Sequence, residues 1–363
     1  MNARIIVTGV FLFFLFIPIP SITGPAIAGL ELVSEYAREH VLLCLIPAFL
    51  IAGAIAAFID KGAILRILGS KAKPLLAYSV ATVSGAIMTV CSCTILPLFA
   101  GIRKRGAGLG PAITFLYAGP AINIPAILLT FNVLGYELGA ARIAFAIGFS
   151  IIIGLIMAYL YREEPQSGSV HAPGSNTSIP PWLLIILFSS LLGILITSNL
   201  AVGPELTYGL IILVILITIG ITTSLKNEQR NAWSRETWDV VLLVAPYLLI
   251  GVFVAGVIGA IIPDAIIERY VGTNSPLSVV SATLFASLMY FSTLTEIPII
   301  QAFVAKGMAE GPALAMLLAG PSLSLPKLLV IRKLLGWRKT LTYIGLVVVL
   351  SSIAGYLYGM ILH

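Results

Sequence analysis

Long apolar runs separated by short polar segments cover the chain from end to end. Runs of membrane-spanning length lie at 5–28, 41–59, 75–101, 107–131, 139–161, 181–199, 205–224, 240–262, 277–304, 312–331 and 341–362. A helix needs about 20 consecutive apolar residues to cross a bilayer. The pattern therefore predicts an all-α integral membrane protein that has no room for a soluble domain of useful size.

Glycine and proline positions inside these runs recur 201 residues apart without a gap. The first copy contains Pro97, Gly106, Pro111, Gly119, Pro120 and Pro125, and the second contains Pro298, Gly307, Pro312, Gly320, Pro321 and Pro326. Helix-breaking residues at matching places in two halves are typical of transporters, whose broken helices expose backbone dipoles at membrane depth. We therefore expect two homologous units of broken and re-entrant helices.

A polar stretch at 162–180 separates the two copies, and its Pro, Gly, Ser and Asn content is that of a flexible linker. We divide the chain into a first repeat unit at 1–161, a linker with a crossover span at 162–203, and a second repeat unit at 204–363.

Only 10% of the residues are charged, against about 25% in soluble proteins. The net charge of +6 comes from short loops between spans, so it indicates membrane topology and not nucleic-acid binding.

The basic residues favour one topology. If 75–100 and 277–304 each enter and return on the same side, 17 Lys and Arg residues lie on the cytoplasmic side and 4 outside. Such an asymmetry is what the positive-inside rule demands. We therefore expect nine crossings plus two re-entrant hairpins, an inverted repeat and a cytoplasmic N-terminus. The alternative is eleven simple spans with a parallel repeat.

The tip of the first hairpin falls at Cys91, Ser92 and Cys93, shortly before Pro97. Two soft thiols near the bilayer midplane suit a thiophilic ion or a trivalent arsenical. The alternative is that free cysteines pack as small hydrophobic residues, which is what we expect of Cys44.

The matching stretch of the second unit contains Thr293, Thr295 and Glu296, followed by Pro298. A carboxylate at membrane depth is costly and marks an ion or proton pathway. Glu296 is therefore the candidate for proton coupling. Its alternative role is structural, as a glutamate hydrogen-bonded to neighbouring Ser and Thr side chains.

Two further polar residues lie between prolines of the repeated breaks. Asn123 stands between Pro120 and Pro125, and Ser324 stands between Pro321 and Pro326. We expect both to line the substrate site. Lys327 follows the second break, and we expect it to snorkel to the membrane interface rather than to reach that site.

The motifs of the first unit resemble a known family. The run from Val90 through Cys91, Cys93 and Pro97, the segment from Arg105, and Gly119-Pro120-Ala-Ile-Asn123 are similar to the signature block of the predicted permeases that include the ArsP-like organoarsenical efflux permeases. The resemblance implies a multi-spanning inner-membrane permease and, for some members, export of trivalent organoarsenicals. The second unit contains no cysteine, so an arsenic site with three thiols would need Cys44 or another chain.

The sequence as a whole predicts a secondary transporter. Its expected partners are a small-molecule or ion substrate, the lipid bilayer and a second copy of the chain; we expect no metal or other cofactor. No Walker loop or nucleophile motif is present, so we do not expect an enzyme. The alternatives are a channel or pore, and a membrane thiol-redox protein that uses Cys91 and Cys93.

Overall fold

The computed structural model describes residues 25–38, 45–59, 61–69, 72–87, 94–162, 180–197, 222–261, 270–289 and 296–361, and positions 216, 218 and 220. All regular secondary structure in these ranges is helical, as the apolar pattern predicted. The helices are Pro25–Tyr36 (α1), Ile46–Phe58 (α2), Lys61–Leu68 (α3), Pro74–Ile87 (α4), Ile95–Lys104 (α5), Leu109–Ala121 (α6), Ile124–Leu134 (α7), Tyr136–Leu160 (α8), Pro181–Thr197 (α9), Asn227–Ile261 (α10), Pro276–Leu288 (α11), Glu296–Ala305 (α12), Glu310–Leu323 (α13), Leu325–Leu335 (α14) and Trp337–Ile361 (α15).

Three of the described helices, α8, α10 and α15, are long and apolar enough to cross a membrane. At 1.5 Å per residue, the 25 residues of α8 extend about 37 Å, which exceeds a hydrocarbon core of about 30 Å. The pairs α6–α7 and α13–α14 also qualify when each pair is counted as one bent span. Large apolar side chains such as Ile152 and Leu155 remain exposed on α8, which suits a lipid-facing surface.

The apolar runs at 75–101 and 277–304 each contain two short helices in place of one long one. Helices α4 and α5 have 14 and 10 residues, and helices α11 and α12 have 13 and 10. These lengths correspond to about 15–21 Å, which is less than the thickness of the hydrocarbon core.

The two bent spans break at corresponding residues. Asn123 and Ser324 have extended backbone, with ψ of 121° and 142°, and each precedes a helix with proline in its first turn. Proline has no N–H to continue the preceding helix, and its ring clashes with the carbonyl four residues earlier. The chain therefore bends by 42° between α6 and α7 and by 47° between α13 and α14.

Helices α4 to α8 recur in the second half as α11 to α15. Helices α8 and α15 have the same length, and the first residues of α12, α13, α14 and α15 follow those of α5, α6, α7 and α8 by 201 positions. The joint between the last two helices is a glycine with positive φ in both units, Gly135 at 96° and Gly336 at 82°. Glycine adopts this conformation at the lowest cost.

Helix packing within the two units also corresponds. Helix α6 packs against α4 and α8, and α13 packs against α11 and α15. In each unit two glycines face each other where these helices cross. They are Gly110 with Gly154, and Gly311 with Gly355. A Cβ on Gly154 would lie 2.8 Å from the carbonyl oxygen of Gly110, and a Cβ on Gly355 would lie 2.5 Å from that of Gly311. Both crossings therefore depend on the missing side chain.

Corresponding helices of the two units run antiparallel where they meet. Tyr161, just beyond the end of α8, donates a hydrogen bond of 3.1 Å to the carbonyl of Arg338, near the start of α15. At the opposite ends, Glu137 of α8 interacts electrostatically with Tyr358 of α15. Helix α10 likewise packs antiparallel to α1 and α2, because Gly29 lies against Phe253 whereas Gly53 lies against Thr237.

Helices α6 and α13 form the centre of the described structure. Every residue of α6 is buried, as is α13 from Gly311 onward. The two helices contact each other, and the Tyr117 hydroxyl donates a hydrogen bond of 3.3 Å to the carbonyl of Leu318, the residue at the equivalent position of the repeat. The breaks that end these helices therefore lie in the interior.

Candidate functional site

The two helix breaks supply the first polar groups of the site. Asn123 and Ser324, predicted to line it, are 4% and 2% exposed. Each stands where one helix ends and the next begins, so carbonyls and N–H groups without intrahelical partners are concentrated there. The glycine and proline positions of the predicted breaks, Gly119, Pro120, Gly320 and Pro321, all lie in the last turns of α6 and α13.

Hydroxyl groups surround the crossing of α6 and α13. Tyr343 of α15 donates a hydrogen bond of 3.3 Å to the carbonyl of Ser322. The hydroxyls of Ser322 and Ser351 lie beside that of Tyr117. All four side chains are buried completely. The interior therefore contains a polar surface within an apolar helix bundle.

Glu296, the predicted proton-coupling residue, is the first residue of α12 and is 1% exposed. Its Oε2 lies 3.8 Å from Nη2 of Arg142, a residue of α8 that is 0% exposed. This N···O distance is within the range of an ion pair, but it exceeds the 2.7–3.2 Å of an ordinary N–H···O hydrogen bond. Neither carboxylate oxygen has a hydrogen-bond partner among the described residues.

Arg142 is a buried charge that was not among the site residues predicted from the sequence. Arg142 lies six residues into α8, about 9 Å along its axis, inside an otherwise apolar run. An ionisable residue within a membrane span is a functional-site candidate by default. The sequence therefore contained a signal that could have identified Arg142. Its Nη1 donates a hydrogen bond of 2.9 Å to Thr130 of α7, whose hydroxyl donates in turn to the carbonyl of Ala126.

The expectation that Lys327 snorkels to the interface was wrong. Lys327 is 1% exposed, and its Nζ donates a hydrogen bond to the carbonyl of Pro321 in the last turn of α13. The helix break leaves carbonyls without intrahelical donors at this end, and a cation there is also favoured by the helix dipole. Lys327 is close enough to Glu296 for an electrostatic interaction. The lysine therefore belongs to the interior site.

Five predicted site residues, Cys91, Ser92, Cys93, Thr293 and Thr295, lie outside the described residues. The first described residues after these two segments are Thr94, which is buried, and Glu296. Pro97 and Pro298 are the third residues of α5 and α12. Of the predicted residues in the described part of the chain, Asn123, Ser324 and Glu296 are buried, and the interactions of Glu296 are with Arg142 and Lys327, with Tyr117 next to Arg142. In that part of the chain, no three His, Cys, Asp or Glu side chains form a group that could hold a metal ion.

Comparisons with known proteins identify a family and two similar proteins. The model of a family described as predicted permease, ArsP_1, matches residues 27–360. The chain is 44% identical to the UPF0718 protein MJ0584 of Methanocaldococcus jannaschii over 344 residues, which cover 91% of this chain and 94% of that protein. It is 25% identical to the UPF0718 protein YraQ of Escherichia coli over 245 residues, 67% of this chain and 56% of that protein. No solved structure matches the chain.

Proposed function

Because this integral membrane protein belongs to the predicted permease family ArsP_1, we propose that it is a secondary transporter which moves a small solute by alternating access. The observation that carries the proposal is the buried cluster of Arg142, Glu296 and Lys327 at the meeting point of two broken, repeated helix units. Transporter sites lie near the midplane between such repeats, where broken helices present backbone groups to the solute. Charges at this depth require a functional reason, since lipid cannot solvate them.

The proposed units, 1–161 and 204–363, joined by the linker and crossover at 162–203, form an inverted repeat. The antiparallel packing of α8 on α15, and of α1 and α2 on α10, supports this arrangement. A parallel repeat would give corresponding helices the same direction relative to the membrane. Inverted repeats allow one unit to rock against the other so that a single site opens alternately to the two sides.

The proposal includes two re-entrant hairpins, α4–α5 and α11–α12. In support, the two ends of each hairpin are adjacent: Gly108 donates a hydrogen bond of 2.7 Å to Leu68, and Ala309 donates one of 3.2 Å to Val271. Lys104, at the end of the first hairpin, forms an ion pair of 3.3 Å with Glu236 at the polar start of α10. The charge bias supports a cytoplasmic N-terminus, and the family resemblance supports a location in the cell inner membrane.

The proposed substrate site includes the hairpin tips together with Asn123 and Ser324. Cys91, Ser92 and Cys93 would contribute thiols and a hydroxyl from one tip, and Thr293 and Thr295 would contribute hydroxyls from the other. A site of this kind suits a thiophilic solute, and the candidate activity is export of a trivalent organoarsenical.

Glu296 is the proposed proton-coupling residue. The charged and titratable groups near it are Arg142 of α8 and Lys327 of α14, with Tyr117 of α6 next to Arg142. Pairing with Arg142 favours the ionised carboxylate, whereas burial without Arg142 nearby favours the protonated form. Alternating between these states would link proton transfer to the rocking of the two units.

The test is gradient-driven uptake of the trivalent methylarsenical by proteoliposomes that contain the purified protein. We expect an imposed proton gradient to accelerate uptake by the wild-type protein. Glu296→Gln should abolish this acceleration because the amide does not titrate. Glu310→Gln is the matched control, since Glu310 is an exposed carboxylate at the start of α13, and it should behave as the wild type does.

The rival functions predict different results in the same assay. A passive pore would show uptake that neither the gradient nor Glu296→Gln changes. Uptake that persists unchanged in a Cys91→Ser and Cys93→Ser double variant would exclude both thiol coordination and thiol-redox function. Equal gradient dependence of the wild type and Glu296→Gln would overturn proton coupling through this residue.

A further inference from the structure

The buried charges of the described residues are concentrated at one place. In that part of the chain, only three Lys, Arg, Asp or Glu side chains are buried: Arg142, Glu296 and Lys327. They come from three different helices, α8, α12 and α14. The electrostatic interactions of Glu296 are with the other two. With Glu296 ionised, the cluster has one positive charge in excess.

The guanidinium of Arg142 leaves its best binding edge available. Nη1 donates to Thr130, whereas Nε and Nη2 have no hydrogen-bond partner among the described residues. The N–H groups of Nε and Nη2 point from the same edge of the planar group, and this pair of donors matches the two oxygens of a carboxylate or other oxyanion. Thr130 therefore fixes the arginine in an orientation in which this edge is free.

The ion pair with Glu296 does not fill that edge. The carboxylate approaches only Nη2, at 3.8 Å, and both of its oxygens lack hydrogen-bond partners among the described residues. A buried ion pair offsets the cost of removing two charges from water only with close, bidentate hydrogen bonds. A purely structural pair would be expected to form them, so the geometry is that of a carboxylate standing next to a site rather than occupying it.

The repeat gives an independent argument. The positions equivalent to Arg142, Glu296 and Lys327 in the other unit are Tyr343, Ile95 and Ala126. Each charge is thus present in one unit and absent from the equivalent position of the other, yet both units have the same broken helices and glycine crossings. No single charge is therefore required at its position to form this scaffold. The hydroxyls of Ser322 and Ser351, which lie beside Tyr117, add further polar groups next to the cluster.

We infer that the cluster is an oxyanion site, in which the Nε and Nη2 edge of Arg142 binds two oxygens of a small oxyanion and Glu296 is the carboxylate that this anion displaces. Lys327 supplies positive charge from the end of α13, where the carbonyl of Pro321 holds it. This inference rests on the proposed secondary transport and gives the buried cluster a substrate class other than the thiophilic solute proposed for the hairpin tips: a carboxylate, or an oxyanion of phosphorus, sulfur or arsenic. Because Arg142 and Glu296 are 0% and 1% exposed, the conformation described is occluded.

The test measures binding to the purified full chain in detergent, without any gradient. The melting temperature is recorded against sodium acetate, phosphate, sulfite, thiosulfate and arsenate, with sodium chloride at equal ionic strength as the reference. At least one oxyanion should raise the melting temperature saturably above chloride. Arg142→Lys keeps the charge but removes the two-donor edge, and should weaken that binding about tenfold or more. Arg332→Lys, at an exposed arginine, is the matched control and should bind as the wild type does.

Glu296→Gln separates an anion site from a structural ion pair. We expect this variant to bind the oxyanion more tightly than the wild type, because the competing carboxylate charge is gone. Glu296→Gln also tests the oxyanion site if Arg142→Lys does not purify as a monodisperse protein. The inference is overturned if no oxyanion stabilises the wild type more than chloride, if Arg142→Lys binds as well as the wild type, or if Glu296→Gln binds more weakly.

Binding and transport can fail separately. Oxyanion binding without gradient-driven flux in proteoliposomes would retain the site and contradict the transporter. Gradient-driven flux of the uncharged methylarsenical, with no oxyanion binding, would retain the transporter and contradict the oxyanion site.

Discussion

At the scale of single residues, burial determines what the charges of this protein can do. An exposed pair such as Lys104 and Glu236 is about one-third exposed on each side, and pairs of this kind contribute about 0–1 kcal/mol to stability. Arg142 and Glu296 are removed from solvent almost entirely, so Arg142 depends on Glu296 for electrostatic compensation, and Glu296 depends on Arg142 together with Lys327. An ion pair therefore affects stability little at the surface, whereas breaking the buried pair of Arg142 and Glu296 is costly.

A double-mutant cycle tests this dependence. Arg142→Leu and Glu296→Leu should each destabilise the protein by about 3–5 kcal/mol, because each removes one partner of a buried ion pair. The variant with both changes should lose less stability than the sum of the two single losses, while Lys327 remains buried in all three variants. The measurement is denaturant unfolding in detergent micelles, with Lys104→Leu as a control that should cost about 1 kcal/mol or less. A double variant whose loss equals the sum of the single losses would contradict the pairing.

At the scale of helices, glycine sets how closely the central helices approach each other. Gly154 and Gly148 both lie in α8, but a Cβ on Gly154 would contact the backbone of Gly110, whereas a Cβ on Gly148 would meet nothing within 4 Å. The same contrast exists in α15 between Gly355 and Gly345. Small residues at helix interfaces let backbones approach in membranes, where apolar burial gives little drive for association.

Alanine substitutions should separate these positions. We expect Gly154→Ala and Gly355→Ala to lower the free energy of unfolding by about 1–3 kcal/mol, since a backbone carbonyl cannot move aside as a flexible side chain can. Gly148→Ala and Gly345→Ala should be neutral, or should stabilise by up to about 1 kcal/mol through helix propensity. The four variants can be compared by thermal unfolding in the same detergent. Equal effects at the four positions would show that the glycine crossings do not determine packing.

At the scale of the whole molecule, contacts between distant segments lie at two ends of the helices. Leu68 meets Gly108, Lys104 meets Glu236, and Tyr161 meets Arg338 at one end. At the other end, Asn274 accepts a hydrogen bond from Gly311 and donates one to Gly359. The proposed topology has the loops at 60–74, 101–106, 225–239 and 327–339, which belong to the first end, on the cytoplasmic side.

Labelling from outside the cell tests the topology. Single cysteines replace Lys73, Lys104 or Lys306, all exposed, in a protein from which the native cysteines have been removed. An impermeant maleimide should label position 306 and leave 73 and 104 unlabelled, because the first hairpin returns to the cytoplasmic side and the second to the outer side. Labelling of position 104 together with protection of position 73 would mean that 75–100 crosses the membrane, and the re-entrant arrangement would be wrong.

Much of the architecture could be predicted from the sequence because it depends on local rules. The length of apolar runs predicted membrane helices, and a proline two residues after Asn123 and after Ser324 predicted both breaks, since proline cannot continue a helix. The repeat predicted which helices correspond. Glu296 was identified as a buried carboxylate because its neighbours in sequence are apolar, and local sequence is sufficient for that inference.

Only the tertiary structure decided which residues share the site. Arg142 lies 154 residues from Glu296 in sequence, and their approach depends on how α8 and α12 pack around the two breaks. Lys327 illustrates the limit of local rules: near a polar loop, a lysine is expected to extend toward water, but the freed carbonyl of Pro321 holds it inside. Sequence therefore determined where the helices run and where they break. Long-range packing determined which buried charges face each other, because electrostatic compensation depends on distance in space.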